Sequence, residues 1–287
     1  MKRKCIQLLA AMALLLLAAN AQAVISCNIS SPGFTTAYNP AAGSQNITQS
    51  YVTVTCSRTS LANDPNTLNY SIRADNGLYN VTGTMNRARR TGPTRNVNYD
   101  LYRDSGCSSE WRTASSNRLL VNMTFSGLVP ASVTIPYWGC IPAGQTGLPA
   151  GIYDDTVTMT LRDAPTGGTT IATNTFGVHI HMSATCNIAT PPGTITFNYM
   201  SFGPAINPTT TFSANCTSLL PYTMALDATS GTLLGLNYSL ALSASSSTGT
   251  GSPQLHTITG TMAAGQSGTC AAGTCSASQP HTLTITY

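Results

Sequence analysis

Apolar and polar residues alternate in short runs along most of the chain, and Gly, Pro, Asn and Ser separate the runs. No stretch sustains the 3.6-residue period of an amphipathic helix. Alternation over runs of this length is typical of strands with one buried face, so the pattern predicts an all-β fold of the sandwich type. The predicted strands of the first half are 24–30, 51–57, 68–74, 97–103, 133–139, 153–161 and 171–182. Those of the second half are 186–198, 211–217, 221–227, 236–243, 255–262 and 281–287.

The strand pattern occurs twice, and a short motif marks the repeat. Ala-Gly-Gln at 143–145 matches Ala-Gly-Gln at 264–266, and each is followed by an Ala-Gly pair and an alternating strand. After the first of these strands a Gly-rich turn leads into 171–182, whereas nothing follows the second. We therefore expect two β-sandwich domains, residues 24–182 and 183–287, and we expect the second to lack its last strand.

A sandwich that lacks its last strand exposes an apolar groove beside unpaired backbone groups. Such an edge recruits a strand from another chain, so this architecture favours an assembly subunit over an enzyme. The residues predicted to line the groove are Phe197, Leu283, Ile285 and Tyr287.

The N-terminus has the three parts of a secretory signal. Lys-Arg-Lys at 2–4 precedes an apolar run at 8–19, and Ala-Gln-Ala at 21–23 forms a cleavage site. The apolar run falls short of the roughly 20 residues that a membrane-spanning helix needs. We expect residues 1–23 to be removed and the mature, exported chain to start near Val24.

Eight cysteines remain outside the signal, four in each half. An even number in an exported chain predicts disulfides, and the similar spacing of two pairs predicts one equivalent bridge in each half. A zinc site is disfavoured because the sequence has no Cys-x-x-Cys pair and only four histidines. The predicted bridges are Cys27–Cys56, Cys186–Cys216, Cys107–Cys140 and Cys270–Cys275.

Charged residues make up only 8% of the chain, and they are confined almost entirely to the first half. Beyond the signal there are ten arginines and nine acidic residues, a net charge of +1, and from Ser183 onward Asp227 is the only charged residue. No concentrated basic face suits nucleic acid. Four arginines, Arg87, Arg89, Arg90 and Arg95, fall in one predicted loop, which is either solvated or contacts an anionic partner.

Catalytic and cofactor motifs are absent from the sequence. There is one glutamate and no G-x-S-x-G, phosphate-loop or H-E-x-x-H pattern. Asp154 and Asp155 are adjacent on a strand and should point to opposite faces. His179 and His181 share a face that we expect to be solvent-exposed without a third ligand. We predict that the chain is not an enzyme and uses no cofactor or metal.

Residues 104–132 form an insert that is much longer than its counterpart in the second half. It holds Trp111 and an apolar stretch at 119–130. Such a loop either adds a core hairpin or builds a contact surface. Residues 128–130, which follow Gly127, are the part expected to be exposed.

Several segments together resemble the spore coat protein U family. In the first half these are Asn-Tyr-Asp-Leu-Tyr-Arg at 98–103, Trp111, and the motif-containing stretches 137–145 and 150–158; in the second half they are 236–240, 264–266 and 283–287. That family includes subunits of archaic chaperone–usher pili of the Csu type. The resemblance implies Ig-like pilin domains that are completed by a strand from a periplasmic chaperone and then from a neighbouring subunit, with assembly at an outer-membrane usher.

The resemblance also implies a position in the fibre. Rod pilin subunits of this system carry the donor strand ahead of the first cysteine, whereas only Val24, Ile25 and Ser26 stand between the signal and Cys27. We therefore expect a chain that accepts a strand and gives none, which is the arrangement of a tip adhesin that mediates attachment and biofilm formation. The alternative is a secreted carbohydrate- or ligand-binding β-sandwich protein that does not polymerise.

In an Ig-like sandwich, loops 58–67, 104–132 and 162–170 should gather at one pole, and strand 171–182 should run away from it. Exposed apolar residues in these loops would contact a host or abiotic surface. The candidates are Leu61, Pro65, Trp111, Leu128, Val129, Pro130, Ala164 and Pro165.

Overall fold

A computed structural model describes residues 25–80, 85–114 and 116–287. The predicted signal, residues 1–23, lies outside them. Every regular element in the described parts is a β-strand, which confirms the predicted all-β fold. Within the same parts, no helix has the length and apolar character needed to cross a membrane.

The first half folds into one curled sheet of ten strands. Their order is β1-β3-β8-β6-β5-β9-β10-β2, and β4 joins β7 to β9. The strands are β1 (Ser26–Ser30), β2 (Phe34–Ala37), β3 (Asn46–Ser57), β4 (Thr67–Ala74), β5 (Asn86–Arg90), β6 (Arg95–Tyr102), β7 (Leu119–Thr124), β8 (Ala131–Ile141), β9 (Gly151–Arg162) and β10 (Thr170–Met182).

The second half folds into two smaller sheets, ordered β11-β12-β17-β15-β14 and β16-β13-β18. The strands are β11 (Cys186–Thr190), β12 (Thr209–Cys216), β13 (Pro221–Leu226), β14 (Ser230–Leu233), β15 (Leu236–Leu242), β16 (Ser246–Thr248), β17 (Pro253–Met262) and β18 (Leu283–Thr286).

Each predicted strand overlaps an observed one, but five short strands were not predicted. These are β2, β5, β7, β14 and β16. The predicted strand 186–198 is too long: it ends at Thr190 because Pro191 and Pro192 have no backbone N–H to pair. The predicted arginine loop is also wrong, since Arg87 lies on β5, Arg95 lies on β6, and the two strands form a hairpin.

The two halves repeat the same strand pairings. The pairs β1–β3, β3–β8, β6–β8, β5–β6, β4–β7 and β4–β9 recur as β11–β12, β12–β17, β15–β17, β14–β15, β13–β16 and β13–β18. In the first half β10 additionally pairs with β9 and β2. The described residues of the second half provide no strand in that position.

The repeated Ala-Gly-Gln motif makes the same hydrogen bonds in both halves. The Gln145 side chain accepts from the N–H of Asn98 at 2.8 Å and donates to its carbonyl at 2.9 Å. The Gln266 side chain does the same to Asn237, at 2.6 and 2.9 Å. Each glutamine therefore holds the loop that follows one strand against the backbone of its neighbour, which explains why the motif appears twice.

All four predicted disulfides are present. Cys27–Cys56 ties β1 to β3, and Cys186–Cys216 ties β11 to β12 at the corresponding place. Both bridges close loops of similar length, with sequence separations of 29 and 30 residues. In the chain-entropy description such a loop stabilises the fold by about 3–4 kcal/mol.

Candidate strand-acceptor groove and distal loops

In the first half, β10 supplies a row of buried apolar side chains. Alternate residues Phe176, Val178, Ile180 and Met182 are at most 3% exposed, while His179 between them is solvent-exposed. These four side chains join one continuous cluster that contains 30 buried residues among those described. The last strand therefore completes the core as well as the sheet.

In the second half, the described core is divided. One buried cluster forms around Phe212, and a separate, smaller one forms around Tyr238. A groove of about 1270 Å³ lies beside both clusters, and strands from both sheets of the second half contribute to its apolar lining. The apolar lining includes Ile195, Phe197, Met200, Leu226, Leu233, Leu236, Tyr238, Leu240, Ile258, Met262 and Leu283.

Backbone pairing stops at the edge of this groove. Within the described part of the chain, β18 pairs with β13 and with no second strand. On the opposite side of the groove, residues 193–199 belong to no strand. The corresponding segment of the first half, β2, pairs in parallel with β10. The two sides of the groove, β18 and residues 193–199, therefore correspond to β9 and β2, the two strands that β10 joins in the first half.

The four residues predicted to line the groove take different positions. Phe197 and Leu283 line it. Ile285 packs against the Phe212 cluster. Tyr287 is 59% exposed and lies at a separate shallow depression beside Pro221.

Two glycine–phenylalanine contacts relate the groove to the first half. The Phe34 ring lies so close to Gly139 on β8 that a side chain there would overlap it. The Phe197 ring lies in the same way over Gly260 on β17. In the first half Phe34 is paired with Val178 of β10. A strand that fills the groove should therefore place its counterpart of Val178 next to Phe197.

A buried tyrosine gives the same alignment. On β6, Tyr99 donates to Asp155 at 2.7 Å; burial first, and then the charge of Asp155, raises the pKa of Tyr99 well above its usual value. Burial likewise raises the pKa of Asp155. Asp155 is the residue of β9 that pairs with Val178.

On β15, Tyr238 takes the corresponding place, and its hydroxyl donates to Gln279 Oε1 at 2.8 Å. Its hydroxyl lies 2.7 Å from His281 Nε2, and His281 Nδ1 lies 2.8 Å from Asp227. The hydrogen bond with His281 lowers the pKa of Asp227, and burial raises that of Tyr238. Tyr238 and His281 both line the groove, so this polar chain forms part of its wall.

Three loops of the first half lie together at the end remote from Met182. The pairs Thr67–Thr124, Ser71–Arg162 and Cys56–Ala131 place the turns 58–66, 125–130 and 163–169 at one end of the sheet. β10 starts at this end and runs away from it toward β11. These three turns are called the distal loops below.

Arg58 holds two of the distal loops together. It is 5% exposed, its Nε donates to Gly127 O at 2.7 Å, and it also donates to Asn66 Oδ1. The guanidinium packs over the Phe125 ring, 5.4 Å from the centroid. The exposed apolar tips therefore sit on a fixed base.

Most of the predicted contact residues are exposed on the distal loops. Leu61, Leu128 and Val129 are 61%, 51% and 67% exposed, and Pro65, Pro130 and Pro165 are exposed as well, while Ala164 is partly buried.

Trp111 is the exception, and its assignment as a surface residue is wrong. It is 1% exposed, its Nε1 donates to Ile72 O at 2.9 Å, and it packs against Tyr137 and Phe176. The segment around it, 104–114, lies along the flank because Cys107 is bonded to Cys140, at the end of β8 away from the distal loops. Only the last part of the 104–132 insert reaches the distal end.

A family model of the Spore Coat Protein U domain matches residues 13–160. The chain belongs to the spore coat protein U family. A search of curated proteins finds no match.

Several solved structures similar to this spore coat protein U chain contain subunits of bacterial pili. One is the CsuC–CsuE chaperone–tip subunit pre-assembly complex of Acinetobacter baumannii, with 13% identity, coverage of 90% of this chain and 99% of that chain, and a TM-score of 0.40. Another is the CooA pilin subunit of enterotoxigenic Escherichia coli, with 12% identity, coverage of 55% and 99%, and a TM-score of 0.37. A third is CfaE, the adhesive subunit of CFA/I fimbria from the same kind of bacterium, with 12% identity, coverage of 82% and 88%, and a TM-score of 0.31.

The other titratable side chains singled out in this spore coat protein U chain do not converge on one site among the described residues. Asp154 is exposed while Asp155 is buried, so the two carboxylates point to opposite faces. His179 is exposed and lies 2.6 Å from Asp154. Among the described residues no group of three potential metal ligands comes together.

Proposed function

We propose that this chain is the tip adhesin of an archaic chaperone–usher pilus, joined to the rod by donor-strand complementation. The proposal rests on one observation: an apolar groove in the second half occupies the place that β10 fills in the first half. A strand in that groove would pair with β18 and place alternate side chains in the divided core.

The proposal divides the chain into a self-complete adhesive domain, residues 24–182, and a strand-accepting pilin domain, residues 183–287. Support for this division comes from the sheets and from the buried clusters, none of which mixes residues from the two halves; one isolated bridge, Pro149–Ser218, joins them. The distal loops lie at the end of the first domain remote from the groove. A subunit with an acceptor at one end and apolar loops at the other suits the end of a fibre.

The proposed partners follow from the groove. A periplasmic chaperone would occupy it first and so prevent aggregation through the exposed edge. A rod pilin subunit would then donate its strand at the outer-membrane usher. The target of the distal loops would be an apolar region of a host or abiotic surface, and attachment there would begin biofilm formation.

Co-production with the chaperone of a chaperone–usher system tests the proposal. The chain should be purified from a periplasmic extract as a one-to-one complex with the chaperone, because the chaperone strand fills the groove. The matched control carries a second copy of residues 170–182 after Tyr287, joined by a flexible linker. With its groove filled, this control should not be retained by the chaperone. Equal retention of both chains, or of neither, would favour the non-polymerising secreted module.

A further inference from the structure

In the first half, Arg73, Arg118 and Arg162 lie close together and have no acidic ion-pair partner among the described residues. Ile72 pairs with Leu119, so the next position of the antiparallel ladder sets Arg73 of β4 opposite Arg118. On the other side of β4, Ser71 pairs with Arg162 of β9. Like charges placed opposite each other destabilise a sheet. Such an arrangement therefore calls for a compensating charge.

Arg118 is the buried member of the cluster. It is 3% exposed, and its Nη1 donates only long hydrogen bonds, 3.4 Å to Ser71 Oγ and 3.3 Å to Gly167 O. The Nε atoms of Arg73 and Arg118 are buried without a hydrogen-bond partner. Burial, together with the positive charges of Arg73 and Arg162, lowers the pKa of Arg118.

No carboxylate of the described residues forms an ion pair with these arginines, although the positive charge of Arg162 contributes to lowering the pKa of Asp163. Among the described residues, no acidic side chain lies within 4 Å of any of the three. The neighbouring acid, Asp163, directs its oxygens to Thr169. By contrast, Arg112 elsewhere in the same half is paired with both Asp100 and Glu110 at 2.8 Å. Arg73 and Arg162 remain partly exposed. The Arg162 guanidinium donates to Gly167 O, Thr170 Oγ1 and Gly168 O, so only its remaining N–H groups can reach a ligand from solvent.

The surroundings of the cluster are suited to a sugar. Asn69 of β4 lies directly opposite Asn122 of β7, and both are exposed. Asn69 is on the same face of β4 as Ser71 and Arg73, because alternate residues share a face. Amide groups donate to and accept from hydroxyls, and guanidinium groups bind oxyanions through paired N–H donors.

We propose that Arg73, Arg118 and Arg162 bind the sulfate or phosphate ester of an acidic glycan, with Asn69 and Asn122 contacting its hydroxyls. Arg73 and Arg162 would donate to the ester oxygens, and buried Arg118 would supply positive charge beneath them. This site adjoins one of the distal loops, because Arg118 and Arg162 both donate to Gly167 O in the turn 163–169.

Calorimetric titration of the full exported chain tests the site with four probes at one fixed, low ionic strength. The probes are inorganic sulfate, inorganic phosphate, a sulfated oligosaccharide and the same oligosaccharide after desulfation. Arg73→Gln and Arg118→Gln should each weaken binding of the sulfated oligosaccharide by about tenfold or more, because each removes charge-assisted hydrogen bonds or the charge that supports them. Arg95→Gln, the same change on the exposed β5–β6 hairpin, should leave binding unaltered.

Each outcome has a definite meaning. Tighter binding of the sulfated oligosaccharide than of either inorganic ion, lost on desulfation, supports a glycan-borne ester. Equal binding of the inorganic ions and the oligosaccharide overturns the glycan assignment. Absence of binding by every probe, or equal binding by Arg73→Gln and Arg95→Gln, overturns the site. Arg73 is partly exposed, so its substitution reports on binding even if Arg118→Gln fails to fold.

Discussion

Appending a second copy of residues 170–182 after Tyr287 should raise the melting temperature of the chain by about 10 °C or more. In its original place this segment buries Phe176, Val178, Ile180 and Met182. In the groove the copy would pair with β18 and join the Phe212 and Tyr238 clusters. A net gain of only 2 kcal/mol suffices, since each kcal/mol shifts the melting temperature of a domain of this size by about 4–8 °C. Differential scanning calorimetry measures the shift.

The alignment of the two halves supplies a matched control for this fusion. Val178 of the copy should lie between Phe197 and Gln279, as the original lies beside Phe34 and Asp155. Val178→Asp in the copy alone would bury an unpaired carboxylate, which costs several kcal/mol. The substituted fusion should therefore melt like the unmodified chain. If both fusions raise the melting temperature equally, the copy does not enter the groove in this register.

Replacing the apolar tips of the distal loops should reduce attachment to apolar surfaces by about 100-fold while pili remain assembled. The variant combines Leu61→Asn, Leu128→Asn and Val129→Thr. Each side chain is between half and two-thirds exposed. Burial of this exposed part against an apolar surface contributes about 1 kcal/mol for each residue. The combined loss of about 3 kcal/mol corresponds to about two orders of magnitude in affinity. Counts of bacteria bound to alkylated and to bare glass measure the effect.

The control for this variant is a second triple substitution of exposed apolar residues away from the distal loops. Leu78→Asn, Leu120→Asn and Ile152→Thr change residues that are 66%, 57% and 47% exposed. This control should attach like the unmodified chain, with normal numbers of pili seen by electron microscopy. Unchanged attachment by the distal-loop variant would place the contact surface elsewhere, for example on the β5–β6 hairpin with its four arginines.

The sequence was informative where side chains alternate strictly. β9 from Tyr153 and β10 from Phe176 have a buried residue at every second position, and the bounds of both strands were predicted to within two residues. β5 escaped prediction because its buried positions are Asn86 and Ala88 and the other three residues are arginines. β16 consists only of Ser and Thr. Such strands are defined by their partners rather than by their own apolar pattern.

Side-chain position within the candidate sites was harder to predict from the sequence. Trp111 lies in a polar loop, so it looked exposed, but a buried hydrogen bond to Ile72 and contacts with two aromatic rings place it in the core. Ile285 and Leu283 share one face of β18 and both pack against the Phe212 cluster, yet only Leu283 also lines the groove. The arginine cluster was not predicted because its members are far apart in sequence and meet only through β4.

The most direct test of the open edge is hydrogen–deuterium exchange at the backbone amides of Leu283–Thr286. In the chain alone, β18 has a partner on one side, so part of its amides should exchange quickly, whereas β9, paired with β10 and β4, should be protected. In the fusion that carries the second copy of residues 170–182, the β18 amides should become as protected as those of β9. Full protection of β18 in the chain alone would contradict an open acceptor edge.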